Sequence, residues 1–354
     1  MHCNIGRSAG GLTLAVALAL TELGCFSRTP SGAAPAPVAD AADDLPKKDK
    51  FAEDRVPKAD PAIAAIDGDR SVKYVKELCD IGPRVSGTEG MTKQQDLIVK
   101  HFEALGGTVA KQEFLAKQRS KEAKVPMVNL IVSWYPDRKK RVIFCTHYDT
   151  RPSAHEEPER NWNKPFVSAN DGTAGVALLM ELAHQMKAFP TGVGVDFVLF
   201  DGEEYILDNG VPYIRDGDKY FLGSEYFAAN YAKTKAKTGI AYDAAILLDL
   251  CGHEGARLAV EGYSWRFAPK LLTEVWKAAE AVGAKSFKFE RGFNRAADVL
   301  DDHIALNDAG IPAIDVIDFD YKHWHKLDDT PDKISPKQMA EVGTVLLTWL
   351  KAQK

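Results

Sequence analysis

The residues of this chain best suited to chemistry are acids and imidazoles that stand where apolar runs stop. The run at 195–200 gives way to Asp201-Gly202-Glu203-Glu204, which puts three carboxylates within four residues at the end of a strand-like segment. Carboxylates so close repel one another and are costly to bury. The pattern recurs: "RVIFCT" runs into His147-Tyr148-Asp149, "AAILL" into Asp249, and "PAIDVIDFDYK" leads to His323-Trp324-His325. Asp171, in "SANDGTAGVALLMELA", begins a helical stretch. Zinc takes imidazole nitrogen and carboxylate oxygen, and a catalytic zinc keeps a position open for substrate. Acids and imidazoles at several strand ends therefore suggest a metal centre.

Each candidate also has a plainer explanation. Asp171 could only cap its helix. Glu203 and Glu204 could be a solvated loop pair, and Asp249 a strand-end turn residue. His325 could be a surface histidine, with His323 a rival two residues away. The joint occurrence of these residues favours the metal centre, since no single position decides.

Elements that would position them are legible in the same pattern. Strands are expected at 127–134, 141–147, 195–201, 243–250, 257–263 and 312–318, all short apolar or β-branched runs. Helical periodicity covers 172–187, 265–282 and 335–352, and "EGMTKQQDLIVKHFEALGG" ends in the Gly-Gly expected after a helix. Alternating strands and helices predict an α/β fold with a mixed, mostly parallel central sheet covered by helices on both faces. In such sheets ligands bind beyond the carboxyl ends of the strands, where the acids and imidazoles gather.

Composition narrows the classes further. The chain has 354 residues, 45% hydrophobic and 27% charged, with formal net charge −5. That balance suits a globular protein, and without a basic stripe it argues against nucleic acid as a partner. No apolar run reaches the length of a membrane span. Residues 1–25 have the shape of a secretory signal: Arg7, a short apolar core at 10–20, then "TELGC". Cys25 resembles the lipid-bearing cysteine of bacterial lipoproteins, although Glu22 stands where that motif prefers an apolar residue. The expectation is therefore an exported protein, periplasmic or extracellular, with membrane attachment only through a lipid on Cys25. Residues 26–62 are rich in Pro, Ala, Asp and Lys and read as a disordered linker. Residues 63–354 form the expected catalytic domain. Cys79, Cys145 and Cys251 are widely spaced and read as buried small hydrophobes.

The blocks "THYDTRP" (146–152), "SANDGTAGVALLMELA" (168–183), "FDGEEY" (200–205) with "FLGSEYFA" (221–228), "LLDL" (247–250), "DDHIAL" (301–306) and "HWHKLDD" (323–329) follow one another in order. Together they resemble the zinc aminopeptidase-like superfamily, the peptidase M28 type. Within it they look like the glutaminyl-peptide cyclotransferases, or glutaminyl cyclases, particularly the bacterial ones. The resemblance implies Asp171, Glu204 and His325 as ligands of one zinc ion, and Glu203 as general acid/base. It implies Asp249 and Asp301 as partners of Glu203 in a proton network, and Trp324 as an aromatic wall beside the metal histidine. The expected substrates are peptides or proteins with N-terminal Gln, closed to pyroglutamate with release of ammonia.

The alternative is a two-zinc aminopeptidase, in which His147 and Asp249 join Asp171 as ligand positions and Glu203 acts as base. Asp301 and Trp324 favour the cyclase, because paired acids raise one proton affinity toward the working range. Two positions depart from the animal cyclases: Asn209 replaces a tryptophan, and Leu300 replaces a polar residue.

Overall fold

In the computed structural model, which describes residues 63–207, 217–292 and 297–354, strands and helices alternate along the chain. The leader, the linker, Cys25 and Asn209 lie outside the described residues. The strands are β1 (Thr108–Ala116), β2 (Val125–Trp134), β3 (Lys140–His147), β4 (Gly194–Phe200), β5 (Ala241–Asp249), β6 (Leu258–Val260), β7 (Phe287–Arg291) and β8 (Ala313–Ile317). Six of them form one sheet in the order β1-β2-β4-β3-β5-β8. The four from β4 to β8 run parallel, and β2 and β1 add antiparallel strands at one edge.

Helices cover both faces, as the period-2 alternation of side chains requires. They are α1 (Gly68–Cys79), α2 (Glu89–Ala104), α3 (Thr173–Met186), α4 (Leu222–Thr238), α5 (Gly262–Phe267), α6 (Pro269–Val282), α7 (His303–Asp308) and α8 (Pro336–Lys351). Val142 and Phe144 of β3, with Ile246 and Leu248 of β5, pack toward α1, α2, α3, α6 and α8. Their neighbours Ile143, Cys145, Ala245 and Leu247 point the other way, toward Phe227 of α4 and Leu306 of α7. Strands buried on both faces read as unbroken apolar runs, which is why they stood out. Gly175 brings α3 close to the sheet: a Cβ there would lie 2.2 Å from Thr146 Oγ1 and 2.8 Å from the Leu248 carbonyl oxygen.

Three sequence expectations need correction. The stretch 257–263 supplies only β6, which pairs with β7 in a separate two-stranded sheet. The stretch 265–282 is not one helix, because Pro269 lacks an N–H and α5 ends at Phe267 before α6 begins. The edge strand β1 was not expected; it alternates exposed and half-buried residues and carries no apolar run. Cys79, Cys145 and Cys251 are buried free thiols.

At the amino ends of the parallel strands, Arg141 and Asp196 form a buried ion pair with contacts of 2.8 and 2.5 Å. The Ser133 and Tyr242 hydroxyls also donate to Asp196, at 2.6 and 2.7 Å. Further Arg141 N–H groups reach the carbonyl oxygens of Tyr135, Trp134 and Val195. The pair is thus fully hydrogen-bonded, and removing one partner would strand a buried charge. We predict that Asp196→Ala lowers the free energy of unfolding by about 3–5 kcal/mol. Urea denaturation followed by far-UV circular dichroism checks this, and an unchanged midpoint would contradict it.

Candidate active site

The carboxyl ends of the parallel strands open on a cavity of about 310 Å³. β3 delivers His147, β5 delivers Asp249, and β4 delivers Glu203 and Glu204 through a turn in which Gly202 takes φ +76°. The loop before α3 carries Asp171, the segment before α7 carries Asp301, and the loop after β8 carries Trp324 and His325. All of these except His147 line the cavity wall.

Two triads converge, and Asp171 belongs to both. His147, Asp171 and Asp249 bring donor atoms within 4.8 Å of one another, as do Asp171, Glu204 and His325. His147 Nε2 lies 3.1 Å from Asp171 Oδ1 and 3.4 Å from Asp249 Oδ1. His325 Nε2 lies 3.3 Å from Asp171 Oδ2 and in close contact with Glu204 Oε1. Glu203 belongs to neither triad; its Oε2 is 3.8 Å from His147 Nδ1. His323 instead pairs with Asp328 at 2.8 Å.

The plainer explanations can now be weighed. Gly172, not Asp171, holds the N-cap position of α3, so Asp171 is not consumed by capping. At the start of α7, Asp302 holds the N-cap position without a side-chain cap, and Asp301 Oδ1 accepts the Asp302 N–H at 2.6 Å. Neither Glu203 nor Glu204 is solvated: they are 8% and 3% exposed. Gly172 is required for a further reason. It has φ +69°, and a Cβ on it would lie 2.5 Å from His147 Cε1.

The backbone around the site is strained. Of five non-glycine residues with positive φ among the described residues, Ser168, Phe221, Leu250 and His325 flank or belong to it. Each such conformation costs on the order of 1–3 kcal/mol and persists only where packing imposes it.

Electrostatics follow from crowding acids out of water. Burial pushes the Glu203 carboxyl well above the usual range, and Glu204 and Asp301 push the same way against the opposing pull of His147. Burial, and then Asp249, raise Asp301 to about 7. Asp249 and Glu204 are raised too, chiefly by burial. For Asp171 burial is outweighed by the pull of the His147 and His325 imidazoles, and its pKa falls. Both imidazoles move up: burial opposes this, but Asp149, Asp171 and Asp249 overcome it at His147, and Glu204 and Asp171 at His325. The site favours positive charge where its donors meet.

A divalent cation fits that point. Tetrahedral zinc ligands at 2.0–2.1 Å stand about 3.3 Å from one another, the separation seen between His325 and Asp171. Asp171 Oδ2 and Glu204 Oε2 are buried and accept no hydrogen bond. Asp171, Glu204 and His325 could therefore hold one ion, and His147 with Asp249 could complete a neighbouring position.

The structure gives positioning roles to residues for which the sequence suggested none. Asp149 accepts the backbone N–H groups of Glu203 and Glu204, at 3.0 and 3.1 Å. Asp329 accepts those of Asn170 and Asp171, at 3.0 and 3.3 Å, and the Tyr321 hydroxyl at 2.9 Å. Asp201, the first acid of the opening cluster, accepts from Ser86 Oγ at 2.6 Å and the Val128 N–H at 2.8 Å. The Arg151 guanidinium lies 3.9 Å from Glu204 and donates to the Tyr220 hydroxyl at 3.2 Å. Their positions inside the quoted blocks were the only signal available.

Known proteins match the domain that carries these residues. The model of peptidase family M28 matches residues 129–350. A glutaminyl cyclase of Fimbriiglobus ruber is 64% identical; the match covers 86% of this chain and all of that one, with TM-score 0.81. A glutaminyl cyclase of Bacteroides thetaiotaomicron, solved with N-acetylhistamine, is 31% identical over 82% of this chain and all of its own, with TM-score 0.75. A protein of that organism described as a leucine aminopeptidase precursor matches at the same identity and TM-score, over 84% of this chain and all of its own. Likeness near 31% thus includes proteins described in both ways, whereas the match at 64% is to a glutaminyl cyclase.

Asp149 holds the glutamate pair without lining the cavity, so its loss should loosen the candidate ligand Glu204. Removing partners that orient a metal ligand typically costs about 10–100-fold in affinity. We expect Asp149→Ala to weaken zinc binding by about that factor, measured by competition with a chromophoric chelator. An affinity within about twofold of wild type would show that the loop holds itself.

Proposed function

The chain belongs to peptidase family M28, and from that membership we propose that it acts as a glutaminyl cyclase, closing N-terminal glutamine of peptides or proteins to pyroglutamate. The observation that carries this reading is the 64% identity to a glutaminyl cyclase across that protein's whole length. The site supports it: one buried glutamate, Glu203, stands among the acids yet outside both donor triads. In the reaction the α-amine nitrogen bonds to the side-chain amide carbon, a five-membered lactam forms, and ammonia leaves. One proton must pass from the attacking amine to the departing nitrogen.

Asp171, Glu204 and His325 are the proposed ligands of a single zinc ion. When bound, zinc polarises the side-chain carbonyl and makes its carbon more electrophilic. Glu203 is the proposed proton carrier, taking the amine proton and returning it to the leaving group. Its raised proton affinity suits both halves of that task. Asp249 and Asp301, both buried, are proposed to share a proton behind it and to keep its charge in check. A proton shared with Asp301 also makes Asp249 a poor ligand, which favours one metal over two. Trp324 stacks on His325 with ring centroids 3.8 Å apart, fixing the imidazole plane and walling the cavity.

Two experiments test the proposal. Purified enzyme should release ammonia from a Gln-initiated peptide and leave a Leu-initiated peptide intact; free leucine from the second would make it an aminopeptidase. Glu203→Gln should cut turnover by about 10²–10⁴-fold with zinc content unchanged, whereas Glu204→Gln should lose the metal. Equal metal retention in the two variants would overturn the division of roles.

A further inference from the structure

Resting on the cyclase reading, we propose that the mouth of the cavity is an apolar subsite for the second residue of the substrate, with Leu300 as its determinant. Only Leu115, Tyr226, Phe267 and Leu300 are large apolar side chains left exposed among the described residues. Leu300, at 53% exposure, is the one of these four that lines the cavity. Its neighbours in sequence, Val299 and Asp301, are 3% and 5% exposed, so the chain is anchored on both sides of a leucine held out in water.

The wall beside it is apolar as well. Phe319 and Trp324 meet edge to face with centroids 5.0 Å apart, both half-buried and both lining the cavity. Trp324 lies on His325, so this wall starts at the proposed metal donors. Cyclisation consumes only the first residue, and everything beyond the first peptide bond must leave through the mouth. Leu300 is adjacent in sequence to Asp301, one of the acids proposed to manage the amine proton. Successive Cα atoms are about 3.8 Å apart in protein and substrate alike. A first residue held beside Asp301 therefore has its second side chain within reach of Leu300.

Charge points the same way. The lining includes Glu156, Asp171, Glu203, Glu204, Asp249 and Asp301, and no lysine or arginine. Against these six acids the lining sets the imidazoles of His155 and His325, so an acidic second residue would meet more carboxylates than cations there. An aliphatic one would cover Leu300 and the rim rings, removing apolar surface from water on both molecules.

The test is kcat/KM for the peptide amides Gln-Leu-Ala, Gln-Gly-Ala and Gln-Glu-Ala, followed by ammonia release. Wild type should prefer Leu over Gly by about 10-fold, the low end of what apolar pockets discriminate, with Glu the poorest. Leu300→Ser should collapse the Leu/Gly ratio to within about threefold, and Leu300→Met should restore it. Leu300→Lys should raise Glu relative to Gly. Because each readout is a ratio within one protein sample, a partly folded variant does not distort it. Equal turnover of the three peptides by wild type, or a Leu/Gly ratio unmoved by Leu300→Ser, would overturn the subsite alone. Failure of every Gln-initiated peptide, Gln-Gly-Ala included, would overturn the cyclase reading and the subsite with it.

Discussion

An excess of buried carboxylate over buried cation governs this molecule. Asp171, Glu203, Glu204, Asp249 and Asp301 are all less than one-tenth exposed at one cavity, and the groups beside them with positive charge to offer are chiefly His147, His155, His325 and Arg151. At an effective dielectric of about 20, two like charges about 4 Å apart repel by about 4 kcal/mol. Such a cluster persists in only three ways: by taking up protons, by binding a cation, or by being held apart by backbone donors. The backbone donors are seen at Asp149 and Asp329, burial favours the protonated form of Glu203 and Asp301, and the donor triads offer a place for a cation.

The acids divide by what they touch. Asp149 and Asp329 accept backbone N–H groups of the very segments that carry Glu203, Glu204 and Asp171. They turn charge into loop rigidity, and hydrogen bonds to charged groups contribute about 1.5–3 kcal/mol each. Asp171 and Glu204 each keep one buried oxygen free of hydrogen bonds, and each carboxylate lies against the His325 imidazole. Glu203, Asp249 and Asp301 sit where burial raises proton affinity. The positive φ at Ser168, Leu250 and His325 shows that ordinary backbone preferences yield to this arrangement.

Much of this was legible in the sequence, for a definite reason. Parallel strands buried on both faces leave continuous apolar runs, and their carboxyl ends are marked by the abrupt appearance of His147, Glu203 and Asp249. β1 was illegible because an exposed edge strand needs no apolar run, and the α5–α6 break was missed because periodicity outlasts a proline. The scaffolding roles of Asp149, Asp201 and Asp329 were hidden more deeply. A carboxylate accepting N–H groups from a distant loop leaves no local pattern, so "DGEE" looks like three equivalent acids although Asp201 faces Ser86 and Val128. Conversely, Leu300 looked like a mere departure from the animal cyclases until its exposure at the cavity mouth gave it a physical meaning.

Zinc K-edge X-ray absorption on the purified, metal-loaded protein tests most directly whether one cation satisfies these acids while Glu203 stays outside its shell. A shell of nitrogen and oxygen at about 2.0–2.1 Å, with the outer-shell scattering of a single imidazole, is the expected spectrum. A zinc–zinc vector at about 3.5–4 Å, or two imidazoles in the average shell, would contradict it by placing a second ion on His147 and Asp249.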